Sequence, residues 1–129
     1  MEKFKFHLVK NPLESSPPHP KLKAYGGMVE FLGVVRPTEN KIPIRAINYE
    51  AYSEMAKREA RKIFNGILKK YPISHIQVFH RVGQVPVGKI SLRVRVYATH
   101  RKEAFEACSE FIEKLKKDVP IWKNPIPSR

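Results

Sequence analysis

The chain has 129 residues, and 25 Lys or Arg against 12 Asp or Glu give it a net charge of +13. That length suits a single domain, residues 1–129, and a content of 42% hydrophobic and 29% charged residues excludes a disordered chain. No apolar run nears the roughly 18–20 residues of a membrane span or forms a signal-peptide core, and one cysteine, Cys108, excludes an internal disulfide, so a cytoplasmic protein with no membrane partner is expected.

Residues 3–9 alternate weakly and read as an edge strand. Residues 11–25 form a Pro-rich connector, with four prolines and two serines between Asn11 and Pro20. From Gly26-Gly27 a strand runs to Val35, apolar on both faces and therefore read as central. Residues 36–41 are a polar loop, and Ile44 to Tyr52 is the next strand. Ser53 is a candidate N-cap for a helix whose core face is Ala56, Ala60, Ile63, Phe64, Ile67 and Leu68, stopped by Tyr71-Pro72.

Strands at 73–82 and 89–98 follow, joined through Gly83 to Gly88. In the second, Ile90, Leu92, Val94, Val96 and Ala98 alternate with Ser91, Arg93, Arg95 and Tyr97, the pattern of a half-buried strand. A last helix begins after His100, and residues 124–129 are a short Pro-broken tail. The order β-β-β-α-β-β-α predicts an α+β fold, a two-layer antiparallel sheet with helices.

The last helix, projected at about 100° per residue, gathers Ala104, Phe105, Cys108, Phe111, Ile112 and Leu115 on one face. Glu110–Lys114 and Glu113–Lys117 read as solvated pairs on the other. Cys108 lies mid-helix on the apolar arc, the setting of a structural cysteine. His75 and His80, five apart on a strand, point to opposite faces, and no His/Cys group has zinc spacing, so neither a metal nor a cofactor is expected.

Arg101 falls inside the apolar arc and Lys116 on its border. Cations set against the core, while the solvent face carries its own charges, suggest an anion site. His100 and Arg101 also stand where a helix start attracts anions, although the helix dipole disfavours cations there. Such a locally costly choice marks function. Arg36 stands similarly, where a strand ends in a Pro-containing loop.

Five stretches together resemble the large, catalytic subunits of molybdopterin synthases, the MoaE family. They are Gly-Met-Val-Glu-Phe-Leu-Gly-Val-Val-Arg (27–36), Ile-Asn-Tyr-Glu-Ala-Tyr (47–52), His-Arg-Val-Gly-Gln-Val-Pro-Val-Gly (80–88), Thr-His-Arg-Lys-Glu-Ala-Phe-Glu-Ala (99–107) and Lys-Lys-Asp-Val-Pro-Ile-Trp-Lys (116–123). The resemblance implies an α/β hammerhead-like fold and a sulfurtransferase that turns cyclic pyranopterin monophosphate into the dithiolene of molybdopterin. It implies a small ubiquitin-like sulfur-carrier subunit with a C-terminal Gly-Gly thiocarboxylate, and a homodimer at the centre of a heterotetramer. Carried over by position, Lys116 and Lys123 would be catalytic, and Arg36, His100 and Arg101 would hold the substrate. Lys116 and Lys123 would also bind it, with the backbone at Val34 and Val35, and Asn124 just beyond. The chain departs from the family's pattern in reading Pro-Val-Gly-Lys at its hairpin and in its short tail.

The alternative is a small basic nucleic-acid-binding module, with Arg93, Arg95 and Tyr97 on an open sheet face as a platform for bases. The enzyme reading expects no specific nucleic-acid partner.

Overall fold

The computed structural model describes residues 3–22 and 24–128, so Lys23 of the connector and Arg129 of the tail lie outside the described residues. Among the described residues, eight strands and two helices run β1 Phe4–Val9, β2 Gly27–Val34, β3 Thr38–Glu39, β4 Ile42–Ala51, α1 Ser53–Lys70, β5 Ile73–Arg81, β6 Gly83–Pro86, β7 Ile90–Ala98, α2 Arg101–Asp118 and β8 Ile121–Pro127. The first sheet has the order β1-β5-β7-β2, with β1 parallel to β5 and the other pairs antiparallel. In the second, β4 pairs with β3, β6 and β8. This is the expected α+β class, with the strands divided between two sheets.

Both helices bury their apolar stripes on one face of the first sheet. Ala56, Ala60, Ile63, Phe64 and Ile67 of α1 are buried as their spacing requires. Tyr52, not Ser53, is the cap residue, with extended backbone and no side-chain cap bond, and Tyr71 before Pro72 ends the helix in extended conformation. On α2 the buried stripe is Ala104, Ala107, Cys108, Phe111 and Leu115. Phe105, expected in the core, is 61% exposed. It projects about 100° from Ala104, at the edge of the arc, and the arc centres on Ala104, Phe111 and Leu115. Burial pushes the Cys108 thiol up to about 11, which suits packing and not nucleophilic chemistry.

Glu110 is more than surface decoration. Its carboxylate accepts hydrogen bonds from Lys70 Nζ at 2.8 Å and Tyr71 Oη at 2.8 Å, and pairs with Lys114 at 3.0 Å. The end of α1 is thereby tied to the middle of α2. Those donors, Lys70 foremost, hold the carboxyl down at about 2.

The opposite face of the sheet overturns two expectations. Strand β7 is buried on both sides, with Arg93 at 3%, Arg95 at 0% and Tyr97 at 0% exposure. The Pro-rich segment lies across them, its carbonyls taking the guanidinium donors. Arg93 Nη1 donates to Leu13 O at 2.8 Å, and Arg95 Nη2 donates to Pro17 O at 2.9 Å and Ser16 Oγ at 2.6 Å. Arg95 Nε donates to Glu30 at 2.7 Å, and His19 bonds the Tyr97 hydroxyl at 2.8 Å. No platform for bases is left, because proline-rich backbone supplies free acceptors that a charged sheet face can satisfy.

Strand β2, expected to be central, is the edge of its sheet. Its two apolar faces have separate causes. Val29 and Phe31 pack against the helix-side core, while Leu32 and Val34 border the cavity described below.

The second sheet arises from segments that read as loops. The polar loop after Arg36 is a hairpin whose turn residues, Asn40 (φ 50°) and Lys41 (φ 67°), both take positive φ, the geometry of a primed two-residue turn. Gly83, at φ 87°, lets the chain leave β5 and run as β6 along β4. The segment from Ile121, including the tail at Asn124 to Pro127, is strand β8 on the other side of β4. Its prolines are tolerated because β8 is an edge strand. Val35, Ile44, Ile47 and Val85 form this sheet's own small core.

Replacing Arg95 with alanine leaves Pro17 O and Ser16 Oγ without their guanidinium donor and Glu30 with Arg93 alone. Arg95→Ala is expected to cost about 3–5 kcal/mol, seen as a lower denaturant midpoint and faster proteolysis within residues 11–22. An unchanged midpoint would show that the strap is held by its apolar contacts alone.

Candidate active site

A cavity of about 580 Å³ opens where β2, the β3–β4 hairpin, β4, β5, the end of α2 and β8 meet. Phe31, Ile47, Leu92, Leu115 and Ile121 supply apolar wall, and Arg36, Lys116 and Lys123 supply positive charge. Each cation arrives on a different element. Arg36 follows β2, Lys116 lies in the last turn of α2, and Lys123 is the third residue of β8.

Strand geometry explains why Lys123 faces inward. In the pairing with β4, Lys123 stands opposite Tyr49, and both line the cavity. Its neighbours Trp122 and Asn124 stand opposite Glu50 and Asn48 and turn to the other face. Asn124 therefore lies outside the cavity, where its Nδ2 donates to Glu50 Oε1 at 3.0 Å. Lys116 Nζ stands 6.0 Å from the Phe31 ring centroid, within cation–π range.

Val34 and Val35 line the wall, following a register shift between Gly33 and Val34. The Val35 N–H donates to Lys89 O at 3.0 Å, and its carbonyl accepts from Gly88 N at 2.8 Å. Its backbone is thus engaged with the β6–β7 turn.

His100 and Arg101 sit elsewhere. They begin α2, and Lys116 lies fifteen positions on, which at 1.5 Å per residue is about 22 Å. Both are exposed, and His100 Nδ1 approaches Glu103 at 3.8 Å. The helix start is pressed against β2. A Cβ on Gly26 would meet Thr99 O, and one on Gly27 would lie 3.4 Å from the Arg101 Cα. The glycine pair is therefore what lets this basic end pack closely. One chain brings Arg36, Lys116 and Lys123 together and leaves His100, Arg101 and Asn124 outside.

Sequence reasoning missed Glu39 and His80. Glu39 pairs with Lys123 at 3.1 Å and lies 4.0 Å from Arg36, so an acidic side chain sits between two of the cavity's cations. The signal for it was a lone acid three residues after Arg36 in a strongly basic chain. His80 is buried at 8% exposure, on the β5 face that carries Ile76 and Val78. Its Nδ1 donates to Arg81 O at 2.9 Å, and its ring meets Tyr49 edge-on at 5.0 Å. Burial lowers its pKa, the bond to the Arg81 carbonyl opposes this, and the nearby charge of Lys116 lowers it further. Among the described residues, no three His, Cys, Asp or Glu side chains converge as a metal site. None of their helices is long and apolar enough to cross a membrane.

Residues 8–118 match the family described as MoaE protein. The chain belongs to this family. A MoaE relative from Pyrococcus abyssi, a molybdopterin synthase catalytic subunit, is 39% identical over 98% of this chain and 88% of its own length. The structure of molybdopterin synthase from Staphylococcus aureus matches with a TM-score of 0.87 at 30% identity, covering 99% of this chain and 93% of that one. A Helicobacter pylori structure, a complex of subunits 1 and 2 of molybdopterin-converting factor, has a TM-score of 0.74 at 21% identity, over 99% of this chain and 91% of that one, a likeness of fold alone. Against the rat, human and bovine relatives, each a molybdopterin synthase catalytic subunit, the chain spans only about half of their length.

Glu39 competes with any anion for Arg36 and Lys123. Glu39→Gln is expected to tighten binding of inorganic phosphate several-fold in low-salt calorimetry, with the gain fading as salt screens the cavity. Weaker binding would instead mean that Glu39 holds Lys123 in its binding position.

Proposed function

We propose that this chain is the catalytic subunit of a molybdopterin synthase, a cytoplasmic sulfurtransferase that builds the dithiolene of molybdopterin on cyclic pyranopterin monophosphate. The observation that carries this reading is the convergence of Arg36, Lys116 and Lys123 on one cavity with apolar walls. The sulfur donor is the thiocarboxylated Gly-Gly end of a small ubiquitin-like subunit, whose lack of side chains suits a narrow entry. Two such subunits flank a central dimer of this chain.

The charge pattern fits the chemistry. A phosphate and a thiocarboxylate entering together repel by about 4 kcal/mol at 4 Å in a partly screened site. Three cations offset that repulsion and stabilise the negative charge that develops as sulfur changes partners. In each transfer the thiocarboxylate sulfur displaces an oxygen substituent from a carbon beside the pterin ring, the C–O bond breaking as the C–S bond forms, which leaves an acyl–sulfur link that water must then cleave. The carrier leaves as a carboxylate, and the sulfur stays on the pterin.

Lys116 borders the cavity without filling the core, so Lys116→Ala is expected to keep the fold and small-subunit binding. Product formation should fall by at least about 100-fold in a dithiolene assay with thiocarboxylated small subunit. Turnover at the wild-type rate would remove Lys116 from the reaction.

The helix distance bears on assembly. A pterin monophosphate is on the order of half the ~22 Å between Arg101 and Lys116, so a single copy of α2 does not supply both ends of one pocket. A two-fold axis that sets the His100-Arg101 end of one chain against the Lys116-Lys123 end of its partner would complete the site. Mixing Arg101→Ala and Lys116→Ala chains should then restore activity, because the mixed dimer regains one intact pocket. No recovery, under conditions where subunits demonstrably exchange, would mean that each pocket belongs to one chain.

A further inference from the structure

We propose that His80 is the general base of this site, taking a proton through Nε2 from the water that frees each transferred sulfur from its acyl carrier. The inference rests on the sulfurtransferase reading above and adds a role for a residue outside the cationic set.

Three observations carry it. His80 lines the cavity that Lys116 and Lys123 also line. Its Nδ1 stands 2.9 Å from Arg81 O, and a carbonyl only accepts, so Nδ1 carries the proton and Nε2 holds the lone pair. The ring is held by that bond and by the edge-on contact with Tyr49 at 5.0 Å and 69°, which fixes where the lone pair points. A base needs a free lone pair, and the neighbouring groups are otherwise committed. Arg36, Lys116 and Lys123 are cations, and the Glu39 carboxylate is paired with Lys123 and borders Arg36.

The surroundings keep the imidazole neutral at physiological pH. Tyr49 from β4 meets the ring, the charge of Lys116 from α2 acts on it, and Lys123 from β8 and Arg36 with Glu39 from the β2–β3 corner line the same cavity. Its sheet partners, Leu92 on β7 and Leu8 on β1, are apolar. Burial and the charge of Lys116 both disfavour a second positive charge on the ring.

The step balances without an oxidant or reductant. Water oxygen bonds to the acyl carbon as its proton passes to His80 Nε2. The carbon–sulfur bond breaks, and its electron pair leaves with the sulfur as a thiolate, beside the cations. The carrier departs as a carboxylic acid that ionises in solvent, and the imidazolium returns its proton to solvent or to the thiolate.

The test uses the chain with thiocarboxylated small subunit and cyclic pyranopterin monophosphate in single-turnover reactions, quenched in acid and read by intact mass. His80→Gln keeps a donor for Arg81 O but no base. It should slow dithiolene formation at least about 100-fold and accumulate the carrier–pterin adduct, with small-subunit affinity unchanged. Wild-type protein needs no mutation to report the same step. Its adduct should build up only as the pH falls well below the ordinary histidine value of 6.5, because burial and the Lys116 charge hold the ring's own value lower and protonated Nε2 accepts nothing. An active wild type with a flat adduct level across that range, or a folded His80→Gln within about two-fold of wild type, overturns the role of His80 alone. A wild type that forms neither adduct nor dithiolene overturns the sulfurtransferase reading itself.

Discussion

Strand β7 pairs with β2 on one side and β5 on the other, and every residue from Ser91 to Ala98 is buried. Both of its faces must therefore be covered. The helices cover the apolar face, where Leu92, Val94 and Val96 meet Phe111 and Leu115 in one core. The other face carries two guanidinium groups and a phenol, and an irregular strap with many free carbonyls satisfies them better than a second helix would, since helical carbonyls are already engaged. Burial of β7 also places its neighbours. It sets β2 and β5 so that Arg36 and His80 reach a shared wall, and it seats α2 so that Lys116 arrives opposite them.

The cavity gathers like charge at a cost. Arg36, Lys116 and Lys123 repel one another, and the fold tolerates them through one acid, Glu39, and one aromatic face, Phe31. These are weak, partly solvated interactions, so the site keeps most of its attraction for anions. The arrangement illustrates how a stable scaffold carries an electrostatically unfavourable site. The stabilising contacts lie elsewhere, in the β7 core and in the Glu110 clamp between helices.

Much of this was legible in the residues. Both helices followed from their spacing, and the first sheet's strands from alternation, because period is set by backbone geometry and needs no tertiary knowledge. Lys116 was visible as a charge on the border of an apolar arc, and Lys123 and Arg36 through the motifs they share with the MoaE family. The second sheet was not legible. Strand β8 carries two prolines and little alternation, and β6 is four residues long, so each exists only because β4 lies beside it. Arg93, Arg95 and Tyr97 misled for a related reason. Local pattern marks them as polar and outward, and only the strap's passage overhead makes outward mean buried. Glu39 and His80 share that limit, since their importance lies in what the second sheet brings near them.

The inward direction of Lys123 depends on parity along β8. Six residues separate it from Lys116, spanning the end of α2, the turn at Val119-Pro120 and the first residues of the strand. Tyr52 N bonds Pro120 O at 3.4 Å and Ala51 pairs with Ile121, so this stretch is pinned at its start. Gaining a single residue between Ile121 and Trp122 would exchange the two faces of the strand beyond it, sending the lysine to solvent and an indole into the anion site. Substitutions at these positions change one side chain, whereas a change of length rewrites the whole wall. The segment thus acts as a ruler, and its length is as much a part of the site as the cations it carries.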